Sequence, residues 1–329
     1  MREIVFLKQQ RKKWDLFEEL MENPEEANPD ELADLFIEVT DDLSYARTFY
    51  PHSASRNYLN RLASKVHLTI YANKKEKWSR LWEFWTKELP LEVYDSFREL
   101  KLSAIFIGIF VFIGVLSAGQ DENFVRMVLG DYYVNMTIEN IREGDPMAVY
   151  KDSAEWSMFS MIAFNNIRVC LLSFALGILF SLGTVYILFV NGIMLGAFHY
   201  LLHKYGELET MFYTVYIHGT IEISMIVISG AAGLAMGNSL LFPGTYTRLR
   251  SFQRGAKRGL KLVVGVMPFI ILAAWLESFV TRHYQESLLA NLLVIFISLA
   301  LVVFYYILYP IHMNNQRRQQ QAEPQPAEQ

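Results

Sequence analysis

Residues 191–237 read NGIMLGAFHYLLHKYGELETMFYTVYIHGTIEISMIVISGAAGLAMG, and the reading of this stretch decides the fold. The run is apolar enough for a bilayer, yet it holds His199, His203, His218 and Glu222, with Asn191 as a further member of the polar cluster. An ionisable group at bilayer depth costs about 2.5–3.5 kcal/mol on insertion scales, so it is retained where it faces a protein interior and has a task there. The stretch also carries small residues for helix packing, Gly192 and Gly196, then Gly219, Gly230, Gly233 and Gly237. Small residues let helix backbones approach closely in lipid, where packing replaces the hydrophobic drive. The spacing suits packing within one chain, or a homodimer.

Outward from this stretch, apolar runs fill residues 102–310, the expected transmembrane domain. Crossing a bilayer takes about 17–25 predominantly apolar residues, which predicts six helices, near 102–118, 167–190, 190–205, 212–236, 262–280 and 288–309. The third is short, and Asn191-Gly192 before it reads as a tight reversal. Between the first two lies an acidic loop, 119–156, where Asp121, Glu122, Asp131, Glu139, Glu143, Asp145, Asp152 and Glu155 outnumber the basic residues. Between the fourth and fifth comes a basic segment with Arg248, Arg250, Arg254, Lys257, Arg258 and Lys261. The positive-inside rule places that segment in the cytoplasm, both termini with it, and the acidic loop outside. The Gln-, Pro- and Glu-rich end, 311–329, is expected to be a disordered cytoplasmic tail.

Residues 1–101 are densely charged and predict a cytoplasmic domain of about four amphipathic helices. Phe6, Trp14, Phe17 and Leu20 make an apolar stripe on the first, ending near Asn23-Pro24. Asn28-Pro29-Asp30 opens the second, and Ser53 or Ser55 caps the third. The fourth holds Trp78, Trp82 and Trp85 among Lys75, Lys77, Arg80 and Lys87, a pattern for bundle core or for a helix lying in the headgroup region, and Pro90 is expected to break it. The fold class is therefore all-α, a polytopic integral membrane protein with an N-terminal soluble helical bundle. A net charge of -4 leaves no footprint for nucleic acid. The single cysteine, Cys170, cannot form an intrachain disulfide. The N-terminal MREIVFLKQQRKKWD lacks the apolar core and cleavage site of a signal peptide.

His199 and His203 are four apart, as are His218 and Glu222, so each pair shares a helix face. Three tasks fit them. The favoured one is an interhelical hydrogen-bond clamp, with Glu222 protonated or paired to His218 or Arg168. The others are a proton relay, as in a transporter, channel or lipid-moving protein, and a zinc site built from all four, as in an intramembrane metalloenzyme. No phosphate-binding glycine loop, dinucleotide fingerprint, nucleophile elbow or HExxH helix occurs. Neither catalysis nor a cofactor is therefore expected.

Asn191-Gly192 followed by Gly196, then His218-Gly219 with Glu222, then Ser229-Gly230-Ala231-Ala232-Gly233 with Gly237, together resemble the stage II sporulation protein M family of bacterial and archaeal membrane proteins. The resemblance covers roughly residues 100–310. Lys12-Lys13-Trp14 and Phe17-Glu18 look like the extension of its longer members. The resemblance implies a multi-pass protein of the cytoplasmic membrane that acts as a scaffold in the cell envelope. The implied partners are peptidoglycan-remodelling proteins and, for longer members, a MoxR-type AAA+ ATPase, with the N-terminal bundle as docking surface.

Overall fold

Turns and side-chain caps punctuate a chain that is otherwise helical: the computed structural model describes residues 3–22, 29–72, 78–151 and 154–322, and no strand occurs among them. The helix end at Asn23-Pro24, the Asn28 cap, Lys75, Lys77, Asp152 and residues 323–329 lie outside the described residues. The chain divides into two compact units, Met1–Trp82 and Glu83–Gln329.

The first unit holds α1 (Glu3–Glu22), α2 (Pro29–Phe49) and α3 (Ala54–Ala72). Phe6, Trp14, Phe17 and Met21 of α1 bury against Val39, Leu43 and Ala46 of α2 and Leu59 and Leu62 of α3. Met21, and not the half-buried Leu20, completes the stripe. Trp14 is only 2 % exposed. Its indole Nε1 donates to Asp42 Oδ2 at 2.8 Å, and Lys13 Nζ lies 2.7 Å from the same oxygen, so the buried polar atoms satisfy one another. Ser53 caps α3 by accepting from Arg56 N, which frees Ser55 to donate to Glu3 Oε1.

Residues 83–101, read from the sequence as part of the soluble region, belong to the second unit. Helix α4 (Trp78–Glu83) runs through a π-helical turn, Phe84–Glu88, into α5 (Leu89–Asp95). Pro90 does not break it. It stands in the first turn of α5, where a missing N–H costs little. Next come α6 (Phe97–Gln120), α7 (Glu122–Leu129), α8 (Asp131–Arg142), α9 (Glu155–Ala175), α10 (Leu182–Lys204), α11 (Leu208–Leu241), α12 (Arg248–Trp275), α13 (Leu288–Val303) and α14 (Tyr309–Ala322). Helical turns extend α9 to Ile178 and α12 to His283, and a π-helical turn fuses α13 to α14. Six of these helices are long and apolar enough to cross a membrane.

Helix α11 is the central post. Of its apolar window 67 % is buried, against 22 % for α6, and it packs on α6, α9, α10, α12 and α13. The reversal expected at Asn191-Gly192 is not there, because both residues lie inside α10. Asn191 Nδ2 donates to Ile187 O one turn back, so its own helix satisfies the side chain. The chain turns at Leu179–Ser181 instead, through left-handed Phe180 (φ 52°) and Ser181 (φ 69°). Both flanking spans thereby reach full length, 155–178 and 182–204.

Gly192 and Gly196 face α6, where a Cβ on Gly192 would stand 2.6 Å from Phe110 Cβ and one on Gly196 2.9 Å from Gly114 Cα. Gly230 faces Ser103 and Leu188, Gly233 faces Thr184 and Ser173, and Gly237 faces Ser181 and Gly177. Gly219 differs: its nearest neighbour would be Val215 Cγ1 at 3.6 Å, an ordinary contact. The end expected to be disordered is helical as far as Ala322. Tyr305 and Tyr309 hydroxyls donate to the carbonyls of Trp85 and Thr86, and Arg317 grips both oxygens of Asp95.

Candidate functional site

His218 and Glu222 project from one face of α11, four residues apart. The end of α12 widens into a π-helical turn, Leu276–Val280, and this turn brings Glu277 to the same place. Such bulges are rare and occur often at functional sites. Ligand-capable atoms of His218, Glu222 and Glu277 all lie within 4.8 Å of one another. His218 is 3 % exposed, and its Nε2 stands 3.8 Å from Glu277 Oε1.

The surroundings fix each group. Thr281 Oγ1 donates to Leu276 O at 3.2 Å, so its hydroxyl proton is committed. His218 Nδ1 lies 3.1 Å from that oxygen, and the tautomer with the ring proton on Nδ1 satisfies both contacts. Asn166 Nδ2, from α9, donates to Glu222 Oε1. The Tyr150 ring lies edge-on to the imidazole, with centroids 5.6 Å apart. Among the described residues, neither carboxylate is ion-paired to a lysine or arginine. Arg168, the cation the sequence offered to Glu222, is exposed.

The four residues grouped from the sequence therefore separate. His199 joins α10 to α11 through Tyr216, whose hydroxyl lies 2.9 Å from Nε2, while Nδ1 faces Leu195 O at 2.7 Å. His203 is exposed near the end of α10. Glu277 takes their place beside His218 and Glu222, and these three could hold a cation. Its sequence signal was plain: it is the one charged residue within 262–280.

The acidic segment over this end of the unit is folded. Asp121 caps α7, and Met147, Tyr150 and Met158 pack with Leu202, Met211, Val215 and Tyr284. Asp145 accepts from Lys151 Nζ and from Tyr284 OH (2.7 Å), and Arg282 donates to Glu155 Oε1 (3.1 Å) and Tyr150 O (3.2 Å). Burial alone would raise the Asp145 carboxyl, but the bonds from Lys151 and Tyr284 outweigh it and hold the group below the ordinary range. At the opposite end of α11 a cavity of about 860 Å³ is lined by Arg98, Glu99, Asn238, Tyr246, Arg254 and Lys257. Arg254 there stacks on Tyr246, 4.5 Å from the ring centroid.

Residues 103–282, which include the whole triad, match the family described as stage II sporulation protein M. Residues 4–72 match a domain of unknown function, DUF8413. An uncharacterized protein of Methanocaldococcus jannaschii is 32 % identical over 120 residues, which is 36 % of this chain and 52 % of that protein. The chain thus spans about half the length of the curated relative it matches. No solved structure matches it.

Proposed function

The chain belongs to the stage II sporulation protein M family, and from that membership we propose that it is a non-enzymatic scaffold of the cell envelope, organising partner proteins on both sides of a bacterial or archaeal cytoplasmic membrane. One observation carries this reading. The acidic segment 121–151 is clamped to the turn between α12 and α13 through Asp145, Tyr284 and Arg282, and so offers an ordered surface. A mere connector between two spans would need no such clamp. The N-terminal unit has a core of its own and offers a second, separate surface. Membrane-embedded helices held backbone to backbone by glycine suit a rigid platform.

In this reading both termini and the basic start of α12 are cytoplasmic, by the positive-inside rule. The N-terminal unit then faces cytoplasmic partners such as a MoxR-type AAA+ ATPase, and the acidic segment faces peptidoglycan-remodelling proteins. A photocrosslinker placed at exposed Tyr132 in the acidic segment, and another at exposed Ile4, tests this in intact cells. Discrete adducts at both positions are expected. Recovery of the protein alone from both would end the scaffold reading.

The proximity of two carboxylates inside the bundle favours a second reading, a transporter, channel or lipid-moving protein that uses His218 and Glu222. Liposome flux that depends on pH and is lost in Glu222→Gln would favour it. Flux that is absent, or indifferent to both, removes it.

A further inference from the structure

Two carboxylates whose oxygens approach within 4.8 Å inside a helical bundle, with no lysine or arginine among the described residues paired to either, cannot both stay ionised without compensation. A proton shared between the two carboxyl groups or a divalent cation resolves the conflict, and the imidazole beside them supplies the cation with a third ligand. With Thr281 Oγ1 placed to donate to Leu276 O, the His218 tautomer that carries its proton on Nδ1 satisfies both contacts and leaves a lone pair at Nε2. Nothing hydrogen-bonds that nitrogen among the described residues, and Glu277 Oε1 faces it at 3.8 Å, beyond hydrogen-bond reach. Two acceptors pointing at one another across such a gap are what a bound cation leaves room for.

The outer ring of contacts agrees. Metal-binding histidines almost always donate through their second nitrogen, which fixes the tautomer, and metal-binding carboxylates are themselves hydrogen-bonded. Thr281 serves His218 in this way, and Asn166 holds Glu222 Oε1. One imidazole nitrogen with two carboxylate oxygens suits zinc, and two negative charges neutralise its own. Tetrahedral ligands at about 2.1 Å from zinc stand roughly 3.4 Å apart. Small side-chain rotations close the 3.8 Å gap to that value.

We infer that His218, Glu222 and Glu277 bind one divalent transition-metal cation, zinc by preference, which ties α11 to the end of α12. Three protein ligands leave a fourth position for water. This goes beyond a scaffold role and stands without it.

The test uses the full chain in mild detergent, stripped with a chelator and titrated with Zn²⁺. Metal content after desalting, binding heat and thermal unfolding are the readouts. One zinc per chain and a rise in Tm are expected. Co²⁺ in its place should give the visible absorption of a four-coordinate nitrogen–oxygen site. Glu277→Gln and Glu222→Gln should each weaken zinc binding at least tenfold, and Asn166→Ala about 10- to 100-fold through lost orientation of Glu222. His203→Ala should bind like the wild type. Should Glu277→Gln fail to fold, the Co²⁺ spectrum of the wild type and the Asn166→Ala titration decide alone. Substoichiometric metal in the wild type, or binding unchanged by all three site substitutions, overturns the inference. Crosslinking to partners reads the scaffold proposal separately and is unaffected by either outcome.

Discussion

The N-terminal unit and the membrane body are both helical, but opposite means hold their helices together. In the first, large side chains fill the space between helices, and Trp14, Phe17, Leu59 and Leu62 are all but sealed from water. Burial of apolar side chains drives such packing. In the second, lipid tails are as apolar as leucine and no such drive exists, so contact depends on closeness. Gly196 meets the backbone of α6 and Gly233 meets Thr184 and Ser173, with no side chain of its own between them. The lesson is that the two units fail in opposite ways. One is harmed by removing atoms and the other by adding them.

The sharpest test of that contrast is Gly233→Val. The added carbons would overlap Ser173 O and Thr184, neither of which is the loose end of a long chain. A destabilisation of at least about 3 kcal/mol is expected, at the upper end for overpacked cores. Size-exclusion chromatography in detergent should show loss of the monodisperse species. Next in size is Trp14→Ala, expected to cost about 3–5 kcal/mol in the first unit. Hydrogen exchange on the full chain should then accelerate across α1–α3 while α10 and α11 keep their protection. Equal loss in both would break the comparison.

A smaller effect concerns the clamp. Asp145 is held below its unfolded value of about 3.9. Its contribution is therefore fully present above that pH and fades as pH falls through the folded value. Protection of residues 141–151 should be level from pH 7 to 5 and drop only below about pH 4. Asp145→Asn should lower it at neutral pH, by about 1–2 kcal/mol, the scale of a hydrogen bond to a charged group. Constant protection down to pH 3 would show the clamp to be idle. The least effect belongs to Gly219→Ala, where there is room for a methyl group. Detergent Tm should hold or rise slightly, since alanine favours the helix by up to about 1 kcal/mol. A loss like that of Gly233→Val would erase the distinction between packing glycines and spare ones.

How much was legible follows from how far each signal reaches along the chain. The stripe of Phe6, Trp14 and Phe17 is local, and so is the pairing of His218 with Glu222 one turn apart on α11. Six apolar runs are equally plain. Asn191-Gly192 misled because the pair marks turns in water, whereas here Gly192 serves contact with α6 and the turn falls to Phe180 and Ser181, ordinary residues with no turn signature. A zinc site built from all four residues would need His199 to meet His218. The register of His199 sets it against Tyr216 instead. Glu277 stands out in the sequence as a lone charge, but its meeting with His218 depends on a π-helical turn that no periodicity announces.

One consequence of the helix lengths remains. The basic start of α12, 248–261, and the 14 residues of α14 each extend about 21 Å on the same side, ahead of and behind their apolar portions. Lys261 with Glu88 and Glu92, and Arg317 with Asp95, lash them to α5 as a charged collar. From Arg248 the rod continues about 44 Å to Glu277, with Pro268 inside it and the π-helical turn at its end. Anything that grasps the collar therefore has hold of the near end of a lever, and Glu277 rides on the far one.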